Sequence, residues 1–195
     1  MEIKMKIIIG LGNPDAQYKN TFHNLGFMCA DQVAEKLGLT FNKSKCRAQI
    51  AEGNINGQKV IIAKPQTYMN LSGESVRELV SFYKIPLSDI IVMYDDYDIN
   101  VGVVRIRESG SAGTHNGMRN IVQELGQSNF ARIRVGFKPL EPMQIPLINY
   151  VLSGISSTDK VILDKAIAVA SDAGVEFAKG VEIQKIMQKY NGKAQ

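Results

Sequence analysis

The chain has 195 residues, which suits one domain with a sizeable core, and its 45% hydrophobic and 22% charged residues are ordinary for a globular protein. This composition excludes whole-chain disorder, and no uncharged apolar run approaches the roughly 20 residues that cross a bilayer. Two cysteines and two histidines are too few for a disulfide scaffold or a His/Cys metal site. The N-terminal residues show no secretory pattern, so the expected localisation is cytoplasmic.

Apolar runs alternate with helical patterns from the N-terminus onward, which is typical of an α/β domain. Lys6–Ile9 is predicted to be a strand that runs into a glycine turn. A helix should follow, with Thr21 as its N-cap and an end before Gly38. This assignment places His23 in the first helical turn, beside the positive end of the helix dipole.

The same alternation continues to the C-terminus. The further predicted strands are Gln49–Gly53, Lys59–Ala63, Ile90–Tyr94, Arg105–Arg107 and Arg132–Phe137. The further predicted helices begin with Ser72 as a cap, at about Asn116, after Ser157 or Thr158 as a cap, and at Val181. We therefore predict a single α/β domain over residues 1–195, in which helices flank a twisted mixed β-sheet.

Polar residues follow three of the predicted strands. Asn13 comes after the first strand, Tyr68–Asn70 after another, and Asp95–Asp96 after Ile90–Tyr94. In open α/β sheets, ligands bind outside the carboxyl ends of the strands. The sequence therefore predicts an active-site cleft at this rim.

Several widespread catalytic motifs fail on their spacing. Gly10-Leu-Gly12 lacks the third glycine of a dinucleotide-binding turn, because position 15 is Asp15. The loop at 110–117 has no Gly-Lys-Ser/Thr for a P-loop, and no Gly-x-Ser-x-Gly elbow supports a serine hydrolase. The spacing of the cysteines and histidines gives no support to cysteine catalysis either.

Basic residues concentrate in one stretch of the chain. The net charge is +4, and residues 101–140 alone hold six basic residues against two acidic ones. Arg105 and Arg107 share one face of a predicted strand, as do Arg132 and Arg134. Such a patch favours a polyanionic partner, and a merely solvated face is the alternative.

Four segments together resemble the bacterial peptidyl-tRNA hydrolase family. They are GLGNPDAQYKNTFHNLG at 10–26, KPQTYMNLSG at 64–73, YDDYD at 94–98 and GTHNG at 113–117. They occur in the family's order and at its separations, and the match runs from about Lys6 to the final helix. The resemblance implies hydrolysis of the ester between a peptide and the 3′ end of tRNA, without a metal or cofactor. Peptidyl-tRNA is then the expected partner, and a monomer is expected.

The resemblance also implies roles for individual residues. His23 would be the general base that activates water, and Asp95 would orient it. Asn13, the third residue expected to be catalytic, matches an asparagine that helps distinguish blocked from free aminoacyl ends. The positions that match substrate contacts are Tyr18, Tyr68, Met69, Asn70 and Asn116.

Two further matches concern the RNA itself. Arg107 and Arg134 match positions that look like a clamp for the 5′-phosphate of tRNA, for which guanidinium groups are well suited. His115 is expected to be structural, and Asp96 and Asp98 to shape the turn after their strand.

The chain departs from the family pattern at Asp15, Phe22 and Tyr94, where Gly, Arg and His are usual. These departures put efficiency and substrate preference in doubt more than reaction type. Two other functions stay open at this point: a non-catalytic RNA-binding module with the same fold, and a small-molecule hydrolase that does not use RNA. The presence of both His23 and Asp95 argues against the binding module.

Overall fold

The computed structural model describes residues 4–192, which build one mixed sheet of seven strands. The strands are β1 (Met5–Gly10), β2 (Lys43–Lys45), β3 (Ala48–Ile55), β4 (Gln58–Pro65), β5 (Ile90–Asn100), β6 (Val104–Arg107) and β7 (Ala131–Lys138). Their order across the sheet is β2-β3-β4-β1-β5-β7-β6. Four adjacent strands, β4, β1, β5 and β7, run parallel to one another. β3 is antiparallel to β4, β2 is antiparallel to β3, and β6 is antiparallel to β7.

Helices cover both faces of this sheet. They are α1 (Leu25–Leu37), α2 (Ser72–Tyr83), α3 (Asn116–Leu125), α4 (Leu147–Val151), α5 (Ser157–Ala178) and α6 (Ile183–Tyr190). No helix within residues 4–192 is long and apolar enough to cross a membrane. The predicted α/β class, with helices flanking a mixed sheet, is confirmed.

The side-chain alternation of the strands divides the core into two clusters. In β1, Ile8 packs in one cluster with Val33 of α1, whereas Ile7 and Ile9 pack in the other with Leu79 of α2. These five residues are all fully buried. A strand covered on both faces carries an unbroken apolar run, which is why β1 and the start of β5 are readable from the sequence.

Three predicted helix caps are wrong. The hydroxyl of Thr21 donates to the Tyr18 carbonyl rather than capping a helix, and a 3₁₀ turn at Phe22–Asn24 precedes α1. His23 therefore lies in this turn and not in the first turn of an α-helix. Ser72 is the first residue of α2 and donates its hydroxyl back to the Met69 carbonyl. At α5 the cap is Ser156, whose hydroxyl accepts from the Asp159 N–H at 3.1 Å.

Other boundaries differ because neighbouring strands extend the pairing. β5 continues through Asp95 and Asp96 to Asn100, paired along β7, so these acids lie within the strand and not after it. The short elements β2 and α4 do not follow from the sequence patterns. β2 is exposed at all three residues, and α4 has no fully buried residue, so neither shows a hydrophobic period.

Candidate active site

A cleft of about 430 Å³ opens at the carboxyl ends of the parallel strands. This is the predicted rim, and the volume falls in the range of about 300–1,000 Å³ that is usual for small-ligand sites. The cleft has a polar floor and one apolar side, and α4 forms most of the apolar side. The polar residues of the cleft include Asn13, His23, Asn70, Asp95, Asp96, Asp98, Thr114, His115, Asn116 and Arg134.

Close backbone packing brings His23 to this floor. Gly26, the second residue of α1, packs against β1 and β5, and a Cβ at this position would lie 2.3 Å from the Met93 carbonyl oxygen. β1 is paired with β5 only as far as Gly10, opposite Met93. Asp95, two residues further along β5, is consequently free on that side to meet a side chain from the turn before α1.

Asp95 lies between two imidazole rings. Its Oδ2 is 2.7 Å from Nδ1 of His23, and its Oδ1 is 2.9 Å from Nε2 of His115. The carboxylate is 1% exposed, so both oxygens depend on these partners. The sequence indicated the first contact and missed the second, although His115 lies in one of the four segments that carry the resemblance.

The hydrogen bonds assign a tautomer to each ring. Nδ1 of His115 accepts the Met118 N–H at 3.2 Å and thereby caps α3, so its Nε2 carries the proton that is donated to Asp95. In the neutral His23 ring, Nδ1–H donates to Asp95, and Nε2 is left with a lone pair. His115 is thus the N-cap of α3, and Asn116 is the first residue of the helix.

These contacts shift two pKa values. Burial alone raises the pKa of the Asp95 carboxyl, but His23 and His115 outweigh burial and hold it well below its usual range. Burial alone lowers the pKa of His23, but the charge and hydrogen bond of Asp95 outweigh it and raise the pKa above the ordinary value for a histidine. The pair therefore combines an ionised carboxylate with a strengthened base.

Backbone and side-chain hydrogen bonds fix the position of Asn13. Its N–H donates to Oδ1 of Asn24 at 2.8 Å, and Nδ2 of Asn24 donates back to the Asn13 carbonyl at 2.9 Å. The Asn13 Oδ1 accepts the Met69 N–H at 2.8 Å. Because this oxygen is engaged, Nδ2 is the group that Asn13 can offer to the cleft as a donor. Asn24 was not predicted, although it lies next to His23.

Four of the five predicted substrate-contacting residues line the cleft, namely Tyr68, Met69, Asn70 and Asn116. Tyr18 does not line it, and lies instead in the 3₁₀ turn Ala16–Tyr18. Tyr68 is 48% exposed, and its hydroxyl donates to the carboxylate of Asp15 at 3.0 Å. The carboxylate that departs from the family pattern therefore anchors one wall of the cleft mouth.

The arginines of β6 and β7 differ in their exposure to solvent. Arg134 lines the cleft and pairs with Asp96 at 3.4 Å, and Arg107 is exposed on β6. Arg107 stands directly opposite Arg132 in the β6–β7 pairing, which puts it diagonal to Arg134 on the same face. Arg132 was counted in the basic surface patch, but it is 1% exposed. The patch is smaller than the sequence predicts, because the loop before α3 and the turn after it cover Arg132.

One group of potential metal ligands exists among residues 4–192, and it is the same trio of His23, Asp95 and His115. Its ligand atoms lie within 4.8 Å of one another. The nitrogens that face Asp95 are at hydrogen-bond distances from it, and the second nitrogen of His115 caps α3. An ion between these groups would have to replace both hydrogen bonds.

Comparisons with known proteins show the family to which the chain is related. The family model described as peptidyl-tRNA hydrolase matches residues 7–195. Curated peptidyl-tRNA hydrolases from Clostridium perfringens and from Thermoanaerobacter sp. (strain X514) are 47% and 44% identical over 189 residues, which are 96% of this chain and 98% and 100% of those proteins.

The crystal structure of peptidyl-tRNA hydrolase from Acinetobacter baumannii matches with a TM-score of 0.90 at 33% identity, over 100% of this chain and 98% of that one. These matches confirm the resemblance and the predicted class of ester hydrolase. The chain belongs to the peptidyl-tRNA hydrolase family.

Proposed function

We propose that this protein hydrolyses the ester bond between a peptide and the 3′ end of tRNA, and so recycles tRNA during translation in the cytoplasm. The observation that carries the proposal is the hydrogen bond between His23 Nδ1 and Asp95 Oδ2 at 2.7 Å, on the floor of the cleft. This contact leaves Nε2 of His23 as a base for a water molecule. Family membership identifies the substrate class that such a base would serve.

His23 is the general base of the proposed reaction. Its Nε2 takes a proton from water while the water oxygen bonds to the ester carbonyl carbon, and the carbonyl oxygen becomes an oxyanion. Collapse of this intermediate breaks the bond to the ribose oxygen, which receives the proton from His23. The products are a peptide carboxylic acid and the free hydroxyl of tRNA. Asp95 stabilises the imidazolium that exists between the two proton transfers.

Side-chain amides supply the polar contacts for the acyl group. Nδ2 of Asn13 is the donor whose orientation is fixed by the Met69 N–H, and Asn70 and Asn116 present further amides on the cleft wall. Amides bind a carbonyl or a developing oxyanion without adding a competing charge. Tyr68 and Met69 contribute contact surface, and Tyr18 would act only on a part of the substrate outside the cleft.

The tRNA lies mostly outside the cleft in this proposal, since about 430 Å³ accommodates only the ester and its neighbours. Arg107 on the outer strand and Arg134 at the cleft edge would contact the 5′-phosphate. The Asp96 carboxylate that pairs with Arg134 would then share that arginine with phosphate. The protein is proposed to act as a monomer and without a metal ion.

The first experiment is the release of an N-blocked amino acid from charged tRNA, measured with a chelator present. We expect wild type to cleave, and His23→Ala to lose at least about a hundredfold in turnover while still binding RNA. RNA binding without turnover in wild type would favour the non-catalytic binding module. Turnover of small esters, with no salt-dependent affinity for RNA, would favour the small-molecule hydrolase.

A further inference from the structure

Arg132 is a buried arginine whose charge is held by carbonyl oxygens. It lies on β7 and is 1% exposed, and it is among the largest fully buried side chains of the described residues. Its neighbour Arg134 pairs with the carboxylate of Asp96. Within residues 4–192, no carboxylate pairs with Arg132, and backbone carbonyls accept the hydrogen bonds of its guanidinium instead.

The guanidinium binds backbone on both sides of α3. Nη1 donates to the Ser111 carbonyl at 3.1 Å, in the loop that precedes α3. Nη2 donates to the Ser128 carbonyl at 2.6 Å and to the Phe130 carbonyl at 3.2 Å, in the turn that follows α3. The guanidinium carbon also lies 4.6 Å from the centre of the Phe130 ring. One planar group thus joins the entry and the exit of this helix.

The helix that Arg132 joins at both ends begins inside the cleft. His115 caps α3 and bonds to Asp95, and Asn116 is its first residue. Tyr94 lies beside the guanidinium and contacts the His115 ring edge-on, with the ring centres 4.9 Å apart. Burial is the main cause that raises the pKa of the Tyr94 phenol to about 12, so this neighbour stays uncharged at neutral pH.

We propose that Arg132 is a positioning residue for the hydrolysis proposed above, and that it acts through the Ser111 carbonyl and Tyr94 on His115 and Asn116. This role rests on the proposed function. The contacts of Arg132 themselves are formed in the protein without substrate. A hydrophobic residue of similar volume would fill the space, but it would leave the carbonyls of Ser111 and Ser128 without these donors. The loop at 110–115 would then lose its attachment to β7 and keep the His115–Asp95 hydrogen bond to β5.

The test uses two substitutions at this position and a matched control. Arg132→Met keeps the volume and removes every donor, whereas Arg132→Lys keeps the charge but loses the planar fork. Arg47→Met is the control, because Arg47 is an exposed arginine that pairs with Glu74 and Glu78, away from the cleft. Each variant is first checked for cooperative thermal unfolding.

Two readouts separate positioning from folding. The first is the split between kcat and KM: displacement of α3 should lower kcat by about tenfold to a hundredfold and leave KM within about threefold. The second is the nitrogen NMR spectrum of the imidazole rings, which is simple because the chain has two histidines. Wild-type His115 should be a single Nε2–H tautomer, Arg132→Met should give a mixture of tautomers, and Arg132→Lys should lie between them.

A folded Arg132→Met variant that keeps the wild-type kcat and the wild-type His115 spectrum overturns the proposal. If Arg132→Met does not fold, the same two readouts on Arg132→Lys decide the question. If neither variant folds, the role of Arg132 is structural and the proposal is overturned. Absence of hydrolysis by wild type would overturn the proposed function instead, since the His115 spectrum is recorded without substrate.

Discussion

At the scale of single residues, the chemistry depends on how Asp95 divides its two oxygens between His23 and His115. The oxygen facing His23 holds the proposed base, and the oxygen facing His115 holds the N-cap of the helix that begins with Asn116. One buried carboxylate thereby connects the proposed general base with an amide that is proposed to contact substrate. Substitution at Asp95 should consequently affect both the rate and its dependence on pH.

The pH dependence of Asp95→Asn is a direct consequence of the His23 pKa. As the proposed base, His23 must be unprotonated, so wild-type kcat/KM should fall as pH drops through the raised pKa of His23. Asp95→Asn removes the charge that raises this pKa and leaves burial, which lowers it. The acid limb should therefore move to lower pH, while the plateau falls by on the order of a hundredfold or more. An acid limb that stays in place, or moves to higher pH, would contradict the assignment of Asp95.

The Asn13 side chain makes a separate prediction. Asn13→Asp keeps an oxygen that can accept the Met69 N–H but removes the Nδ2 donor. If this donor stabilises the oxyanion, kcat should fall by about 10²–10³-fold. Single-turnover hydrolysis measures the loss, and Asn13→Ala serves as a comparison because it removes both the donor and the acceptor. Equal kcat for Asn13→Asp and wild type would exclude an oxyanion role.

At the scale of elements, the entry of α1 depends on a glycine at its point of closest contact with the sheet. In Gly26→Ala the new methyl group would meet the Met93 carbonyl at 2.3 Å and the backbone of Leu11 at 2.5 Å, so α1 must move. We expect a loss of about 1–3 kcal/mol in the free energy of unfolding. We also expect a fall in kcat, because His23 lies one turn before this position. Denaturant unfolding and turnover measure the two effects.

Gly38, at the other end of α1, provides the control for that substitution. It has a φ of +68°, and nothing lies within 4 Å of a Cβ built on it. Gly38→Ala should cost about 1 kcal/mol through backbone conformation alone and should leave kcat unchanged. If both variants lose stability but neither loses turnover, the entry of α1 does not position His23.

Elements were predictable where burial repeats with a regular period. The beginning of α3 at Asn116 and the positions of the parallel strands follow from apolar runs and turn residues, because both faces of the sheet are covered. β2 and α4 pack on neighbouring elements and have no regular apolar pattern of their own, so they could not be predicted from the sequence. Arg132 shows the same limit at the candidate site. Alternation along β7 identifies the face on which it lies, but not whether a loop covers that face.

At the scale of the whole molecule, the residues proposed to bind RNA and those proposed to catalyse the reaction differ in their position relative to the cleft floor. The arginines that were predicted to bind RNA are Arg134 at the edge of the cleft and Arg107 on β6. The residues that were predicted to be catalytic lie on the floor of the cleft. The four matching segments made the floor predictable, since they contain His23, Asp95 and the asparagines. The contacts of His115 and Asn24 depend on side-chain directions that spacing does not specify.

Removing one arginine should affect binding and not chemistry. Arg107→Ala should raise KM, leave kcat within about twofold and reduce the salt dependence of binding by about one charge. Its effect on KM should disappear with a tRNA that lacks the 5′-phosphate, if that phosphate is the contact. Lys160→Ala is the control, because Lys160 is exposed on α5 and pairs with Asp164. An unchanged penalty on dephosphorylated substrate would place Arg107 elsewhere on the RNA.

The cleft has a consequence for inhibition that follows from its size and from the apolar wall formed by α4. Its walls combine amides, imidazoles and the side chains of Leu147, Ile148 and Val151 within about 430 Å³. A compact, uncharged molecule could satisfy these groups without imitating a nucleic acid. Such a compound would compete for the ester end of the proposed substrate without displacing the RNA contact that is proposed for Arg107 on β6. Its potency should therefore vary little with ionic strength, in contrast to that of an oligonucleotide competitor.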